Sequence, residues 1–296
     1  MSRILVIRGG AIGDFILTLP AIRLLREAFP SAHLEVLGYK QIVALAEMSG
    51  YADATRSIEY APLASFFSRD SELAPELVEY FASFQQVVSY LFDPDRIFAT
   101  NLKRAGVRNF LAGPGKMRDQ EHAARQLARP LEALGLYLED PAARILPNET
   151  RKVDPELLAI HPGSGSEAKN WPLERFVSLS RSFLRESKER RLLLIGGEAD
   201  ESRLTKLEKS LPNDRVRVAR NLSLPAVANR LQNCETFIGH DSGISHVAAA
   251  VGIRSLLLFG PTDPAIWAPQ NPQVRVLRSA DLTMEGIALA DVVARL

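Results

Sequence analysis

Cysteine is almost missing from this chain: Cys234 is the single one among 296 residues. That excludes an internal disulfide framework and a cysteine-clustered zinc site, and it suits a reducing compartment. An excess of one charge sign is missing too. Lys and Arg number 36 against 35 Asp and Glu, a formal charge of +1, so nothing in the balance calls for nucleic acid as the main partner. No apolar run approaches the roughly 20 residues that a membrane helix needs. The N-terminus lacks the basic segment, apolar stretch and cleavage site of a signal peptide. A soluble cytoplasmic protein is expected, one still able to work peripherally at the inner face of the membrane. Low-complexity segments and short-period repeats are also absent. What remains is ordinary globular composition, 46% hydrophobic and 24% charged. The length is that of roughly two domains of about 150 residues each.

Short apolar runs alternate with amphipathic stretches from end to end. Residues 4–7, 33–37, 55–58, 86–91 and 108–111 read as strands, with helical patterns such as 17–29 and 95–105 between them. Such alternation predicts a parallel sheet covered on both faces. A long helix is predicted over 122–134. The stretch 137–155, with three prolines and no clean period, reads as an interdomain linker. A second series of strands follows at 157–161, 191–195, 216–218, 236–238, 255–259 and 274–277. The expected fold is α/β, with two Rossmann-like doubly wound domains, 1–150 and 151–296, facing a cleft. Ligands in open α/β sheets bind beyond the carboxyl ends of the strands, so the loops there carry the functional question.

In "IHPGSGSEAKNWP", Gly163, Ser164, Gly165 and Ser166 follow a strand and a helix opens near Pro172. Small residues let backbone amides approach an anion, and Lys169 adds a point charge. On this stretch alone, a plain turn with a solvated lysine serves as well. Neither the Gly-x-Gly-x-x-Gly nor the Walker pattern occurs in this loop. In "GHDSGISHVAAAVG", Asp241 lies at a cap region, where it can accept helix amides or point into the cleft. Ser242 and Gly243 stand at the positive end of the following helix, and His246 falls near its first turn. In isolation, an aspartate cap and a packed histidine are the simpler account. "LLLIGGEADE" again puts two glycines and a carboxylate, Glu198, after a strand; Gly260, Pro261 and Thr262 close another. Near the start, "IRGGAIGDFILTLP" places Gly9, Gly10, Gly13 and Asp14 where the first strand hands over to a helix. By itself Asp14 reads as a helix cap.

Taken together and in this order, these motifs resemble the heptosyltransferase family of glycosyltransferases, which add heptose to the inner core of bacterial lipopolysaccharide. The resemblance implies the GT-B architecture, with an acceptor domain first and a nucleotide-sugar domain second. It also implies an inverting, metal-independent transfer, with ADP-heptose as co-substrate, no further cofactor, and a glycolipid or oligosaccharide acceptor. Carried over by position, Asp14 matches the family's catalytic base, with Gly10 and Gly13 in the acceptor-side loop. Ser164, Gly165, Lys169, Glu198, Asp241, Ser242, Gly243 and His246 match the donor site, with Glu201 an alternative to Glu198. The run 221–224 is the candidate adenine pocket.

These residue types suit the chemistry. Inverting transfer needs a base on the acceptor side and fixed positive charge where the diphosphate leaves. "DPD" at 93–95 has the spacing of a metal-binding Asp-x-Asp, yet it follows a strand of the wrong domain and reads as a turn and cap. The stretch 55–70, where relatives acting on an acidic acceptor carry a basic cluster, holds only Arg56 and Arg69. Phe66 and Phe67 read as core or loop, Arg104 and Arg108 as solvated surface, and 284–296 as a short helix. Two alternatives stay open: an enzyme of the same architecture using another nucleotide sugar, as transferase or epimerase, and a non-catalytic sugar-nucleotide binding protein.

Overall fold

The computed structural model describes every residue except Met1, Asp119 and Asn148. The chain divides into two compact units, Met1–Pro141 and Ala142–Leu296. Within the expected linker, Ile145 N–H donates to the Ala250 carbonyl at 2.9 Å, and Asn271 Nδ2 to the Ala143 carbonyl at 2.8 Å. Ala142, Ala143 and Ile145 are buried. These contacts tie residues 142–145 to the second unit ahead of its first strand.

The first unit runs β1 (Arg3–Arg8), α1 (Ile12–Ala28), β2 (His33–Gly38), α2 (Lys40–Met48), β3 (Ala54–Ser57), α3 (Pro75–Ala82), β4 (Gln86–Ser89), α4 (Ile97–Arg104), β5 (Phe110–Ala112) and α5 (Ala123–Ala128). Its parallel sheet has the order β3-β2-β1-β4-β5. Leu5, Val6 and Ile7 are fully buried, because helices cover both faces of a parallel sheet and every position of a central strand points into a core. Phe66, Phe81, Phe98, Leu5 and Val87 belong to one of these cores. The expected helix over 122–134 is interrupted: α5 stops at Ala128, and Arg129–Leu134 is 3₁₀ helix. Pro130 lacks the N–H that would extend the α-helical ladder, and its ring crowds the carbonyl four residues back.

The second unit runs β6 (Asp154–Ile160), α6 (Leu173–Glu186), β7 (Arg191–Gly196), α7 (Glu201–Lys209), β8 (Val216–Arg220), α8 (Leu224–Leu231), β9 (Cys234–His240), α9 (Gly243–Ala250), β10 (Arg254–Phe259), α10 (Pro264–Trp267), β11 (Val274–Arg278) and α11 (Leu289–Val293). All its strands are parallel, in the order β11-β10-β9-β6-β7-β8. The chain moves outward from β6 through β7 to β8, then returns to β9 on the other side. β6 and β9 therefore flank the switch point where a crevice opens beyond the strand ends. β1 and β4 hold the same position in the first sheet. The C-terminal residues Met284, Ile287 and Val292 are buried in the second unit's own core beside Trp171 and Phe176. Among the described residues no helix is long and apolar enough to cross a membrane.

Candidate functional site

Two loops leave the sheet at the β6/β9 switch point, and a charge pair joins them. After β6 the chain passes through Ser164 and Gly165 into one 3₁₀ turn, Glu167–Lys169. After β9, Asp241 is the first residue beyond the strand. Lys169 Nζ lies 3.2 Å from Asp241 Oδ2, with the side chains 26% and 13% exposed. Asp241 is not the cap of α9. Ser242 takes that role, its hydroxyl accepting the Ser245 N–H at 3.4 Å. A hydroxyl one residue closer to the helix reaches the orphan amide, which leaves the aspartate for the lysine.

The other expected donor residues fall around these two. The Ser164 hydroxyl donates to the Ser166 carbonyl at 2.7 Å, tightening the loop, and Gly165 is exposed with open space where a Cβ would stand. Gly243 opens α9, and the buried His246 lies in its first turn, with its N–H on the Ser242 carbonyl at 3.2 Å. Glu198 is exposed on the turn after β7. Glu201 is committed elsewhere: it pairs with Arg220 and accepts from Thr205 at 3.0 Å. The Arg220 hydrogen bond holds its carboxyl below the usual range. In the 221–224 run, Asn221 has a left-handed backbone at φ 51°, and the Ser223 hydroxyl caps α8. Gly260 packs tightly, a Cβ there standing 2.8 Å from Met284 Sδ.

Beneath these loops lies a set of buried polar residues that sequence reasoning missed. His240, the last residue of β9, is fully buried; its Nδ1 donates to the Gly163 carbonyl at 3.2 Å and its Nε2 accepts the Trp171 N–H at 2.9 Å. Burial pulls its pKa down to about 3, so the ring is neutral and one tautomer is fixed. Arg203 of α7 clamps the same loop at both ends. Its Nε donates to the Pro162 carbonyl at 2.9 Å and its Nη2 to the Trp171 carbonyl at 2.6 Å. His161 bonds Asp200 Oδ2 through Nε2 at 3.0 Å and Ser242 Oγ through Nδ1 at 3.2 Å. Burial raises the Asp200 pKa, but the hydrogen bond and charge of His161 outweigh it and the net direction is down. A Cβ on Gly163 would stand 1.9 Å from Asp200 Oδ1, so the glycine is required by the carboxylate behind it. The signal available in the sequence was a histidine at or just beyond the end of two strands that each lead into a glycine- or serine-rich loop, "IHPG" and "IGHD".

Asp14, Gly10 and Gly13 belong to the first unit. Asp14 Oδ2 accepts the Ala11 N–H at 3.2 Å, and its Oδ1 lies 3.7 Å from Arg8 Nη2. The carboxylate therefore does cap α1, yet 38% of the side chain stays exposed. Gly10, at φ 97°, makes the turn that brings the carboxylate back over the strand end. Asp93 accepts the Phe98 and Ala99 N–H groups at the start of α4, the capping role expected of "DPD". Phe66 is core, whereas Phe67 is 46% exposed and stacks on Phe98. Arg56 lies over the Tyr80 ring at 4.2 Å and Arg69 pairs with Asp95 at 3.6 Å. Arg104 bonds Asn101 and the Ser71 carbonyl. Among the described residues no group of three or more His, Cys, Asp or Glu side chains is arranged to hold a metal ion.

Comparison with known proteins agrees with this architecture. The Haemophilus influenzae lipooligosaccharide heptosyltransferase 2 is 27% identical over 127 residues, a match spanning 41% of this chain and 36% of that protein. The crystal structure of a family 9 glycosyl transferase from Veillonella parvula superposes with a TM-score of 0.79 at 19% identity, covering 99% of this chain and 95% of that one. An E. coli heptosyltransferase solved with ADP superposes with a TM-score of 0.75 at 17% identity, covering 99% and 98%. The model of glycosyltransferase family 9 (heptosyltransferase) matches residues 114–286, more than half of the chain. With its two Rossmann-like parallel-sheet domains and this match, the chain belongs to glycosyltransferase family 9, the heptosyltransferase family.

Proposed function

We propose that this protein is an inverting, metal-independent glycosyltransferase that moves heptose from ADP-heptose to a lipopolysaccharide-core or other surface glycan acceptor. The observation that carries this reading is the Lys169–Asp241 pair at the β6/β9 switch point, beside the capped N-terminus of α9. A diphosphate arriving there offers Lys169 an anionic partner, and Asp241 then accepts from sugar hydroxyls. The amides of Ser242 and Gly243, at the positive end of α9, meet the charge that grows as the diphosphate leaves. Glu198 and the 221–224 run complete the donor side. A family relative solved with ADP supports the choice of nucleotide.

On the acceptor side, Asp14 takes the proton of the attacking hydroxyl. The acceptor oxygen bonds to the anomeric carbon while the bond from that carbon to the phosphate oxygen breaks and ADP departs with the electron pair. Backside attack inverts the anomeric centre. The stretch 55–70 offers only two arginines, Arg56 over the Tyr80 ring and the exposed Arg69, which favours an acceptor less anionic than a phosphorylated lipid A.

Calorimetry with ADP and ADP-heptose tests the donor half. Wild type is expected to bind both, and Lys169→Ala to lose about tenfold or more in affinity, the scale of one charge-assisted contact. Equal affinities would remove the assigned site. Transfer unaffected by a chelator, with an inverted anomeric product by NMR, tests the mechanism.

A further inference from the structure

Every exposed phenylalanine or tyrosine among the described residues lies in the first unit: Phe29, Tyr39, Tyr60, Phe67, Phe92 and Tyr137. Four of them are accounted for by place or partner. Phe29 closes α1, at the edge of the sheet opposite Asp14, and Tyr137 follows the 3₁₀ turn Arg129–Leu134 rather than a strand. Phe67 stacks on Phe98 at 4.9 Å, and Arg56 lies 5.7 Å over the Tyr60 ring. Tyr39 and Phe92 remain, 43% and 68% exposed, with no ring or cation stacked on either among the described residues.

These two rings stand on the loops that flank β1. Tyr39 directly follows β2 and Phe92 comes three residues after β4, and both strands are neighbours of β1 in the order β3-β2-β1-β4-β5. Adjacent strands lie about 4.8 Å apart, so β2 and β4 are about 10 Å apart across β1, the span of a pyranose with its hydroxyls. Gly9, just past β1, is the floor between them. A Cβ there would stand 3.1 Å from Leu91 Cδ2 and 4.0 Å from Tyr39 Cε2, so the missing side chain lets the Tyr39 ring and the segment 91–92 come in over the strand end. On the next residue, Gly10, the Cβ position is 3.0 Å from Asp14 Oδ2. Both rings sit on fixed backbone. The Tyr39 carbonyl accepts the Ile42 and Val43 N–H groups at 2.8 and 3.0 Å, and Asp93, next after Phe92, is held by the N–H groups of Phe98 and Ala99.

We infer that Tyr39 and Phe92 form a stacking platform for one pyranose ring of the acceptor, an uncharged ring whose hydroxyl is presented to Asp14. Aromatic faces pack against the C–H groups of a sugar, and a nearby carboxylate accepts from its hydroxyl. The inference rests on reading the unit that holds Asp14 as the acceptor side, and it names the chemistry which that side selects. The charge there fits. Asp14, 38% exposed, repels a carboxylate or phosphate, and Arg8 is already shared between Asp14 at 3.7 Å and the Tyr90 carbonyl at 3.2 Å. Lys40 and Lys116 are exposed next to Tyr39 and to Gly115, whose Cβ position is 3.5 Å from Phe92 Cδ2; an acidic ring would call on them instead. The same carboxylate opposes insertion of the rings into a bilayer, where it would lose hydration or face an anionic leaflet.

The test is NMR of the aromatic ring resonances, with saturation transfer to ligand, on the full chain. The probes are the methyl glycosides of D-glucose, D-galactose, D-mannose and L-glycero-D-manno-heptose, methyl D-glucuronide, and vesicles of phosphatidylethanolamine and phosphatidylglycerol. At least one uncharged glycoside is expected to shift the Tyr39 and Phe92 rings but not Phe29, and to take saturation on the C–H groups of one sugar face. Tyr39→Ala and Phe92→Ala should each weaken that glycoside about fivefold, whereas Tyr39→Phe, Phe92→Tyr and the control Phe29→Ala stay within about twofold. ADP affinity is unchanged in all five. The inference is overturned if no uncharged glycoside shifts either ring, if only the glucuronide does, or if both alanine variants bind the glycoside as wild type does. Vesicle binding that is lost in the alanine variants, with no glycoside bound, makes the rings a membrane contact and overturns it as well. If an alanine variant does not fold, the wild-type ring shifts decide. Failure of the donor reading looks different: no ADP heat in wild type, with the glycoside shifts still there to be read.

Discussion

Replacing Gly163 by alanine puts a methyl carbon 1.9 Å from Asp200 Oδ1 and 2.4 Å from its Cγ. Ordinary contact begins near 3.4 Å, so the carboxylate must retreat by about 1.5 Å. The His161–Asp200 bond, 3.0 Å long, then exceeds hydrogen-bonding range. A hydrogen bond to a charged group contributes about 1.5–3 kcal/mol, and losing it leaves the carboxylate short of a donor. Asp200 is one-tenth exposed and recovers some hydration as it moves, so a loss of about 2 kcal/mol is expected. At about 2–4 °C per kcal/mol for a domain of this size, the Tm falls by about 4–8 °C. The matched control is Gly165→Ala, two residues on in the same loop, where a Cβ meets nothing within 4 Å. It should stay within about 0.5 kcal/mol of wild type. Thermal and urea unfolding of the three proteins decide the matter. If Gly163→Ala melts with Gly165→Ala, then Asp200 is not fixed where the packing puts it, and the glycine is a turn residue only.

Asp14→Asn should bind ADP-heptose within about twofold of wild type and transfer at least about a hundredfold more slowly, the scale of a lost general base; unchanged turnover in a radiolabel transfer assay removes the assignment. Arg203→Ala frees both ends of the Lys169 loop and should weaken ADP by about five- to tenfold, with Arg203→Lys no better because one ammonium cannot span two carbonyls; calorimetry showing a full rescue by lysine refutes the clamp. His240 gives a pH signature. Its pKa is about 3 folded and about 6.5 unfolded, so stability is whole above pH 6.5 and is lost as pH falls toward 3, by about 2 kcal/mol between pH 6.5 and 5. Urea titrations should show wild type losing close to one proton's worth more slope in that window than His240→Gln, and equal slopes would contradict a neutral buried ring.

The fold was legible because parallel strands buried on both faces need unbroken apolar runs. Residues 4–7 and 255–259 stand out in the sequence for that reason. Strand ends were less so: β9 extends to His240 and β6 begins at Asp154, where polar residues continue a ladder that hydropathy does not see. The helix over 122–134 failed on a visible residue, Pro130, whose missing N–H outweighed the apolar period around it. Residues 142–145 looked like linker because what holds them, the Ala250 carbonyl and Asn271, lies more than a hundred positions away.

The site divides along the same line. Lys169 and Asp241 stood out in the sequence as charges in glycine- and serine-rich loops after strands, and the structure adds that they pair at 3.2 Å. His161 and His240 did not, because a histidine closing an apolar strand reads as packing until its partners are known. Those partners, Asp200 and Ser242 for the one and Trp171 and Gly163 for the other, lie 39 to 81 residues away in sequence. The fold joins them for a physical reason. β6, β7 and β9 are neighbours in the sheet, so the residues at and just beyond their ends converge at the mouth of the switch point. A loop of small residues cannot hold that geometry by itself. In this protein the holding groups are His161, His240 and Arg203, each bonded to the loop or to the residue that follows it across the strand ends.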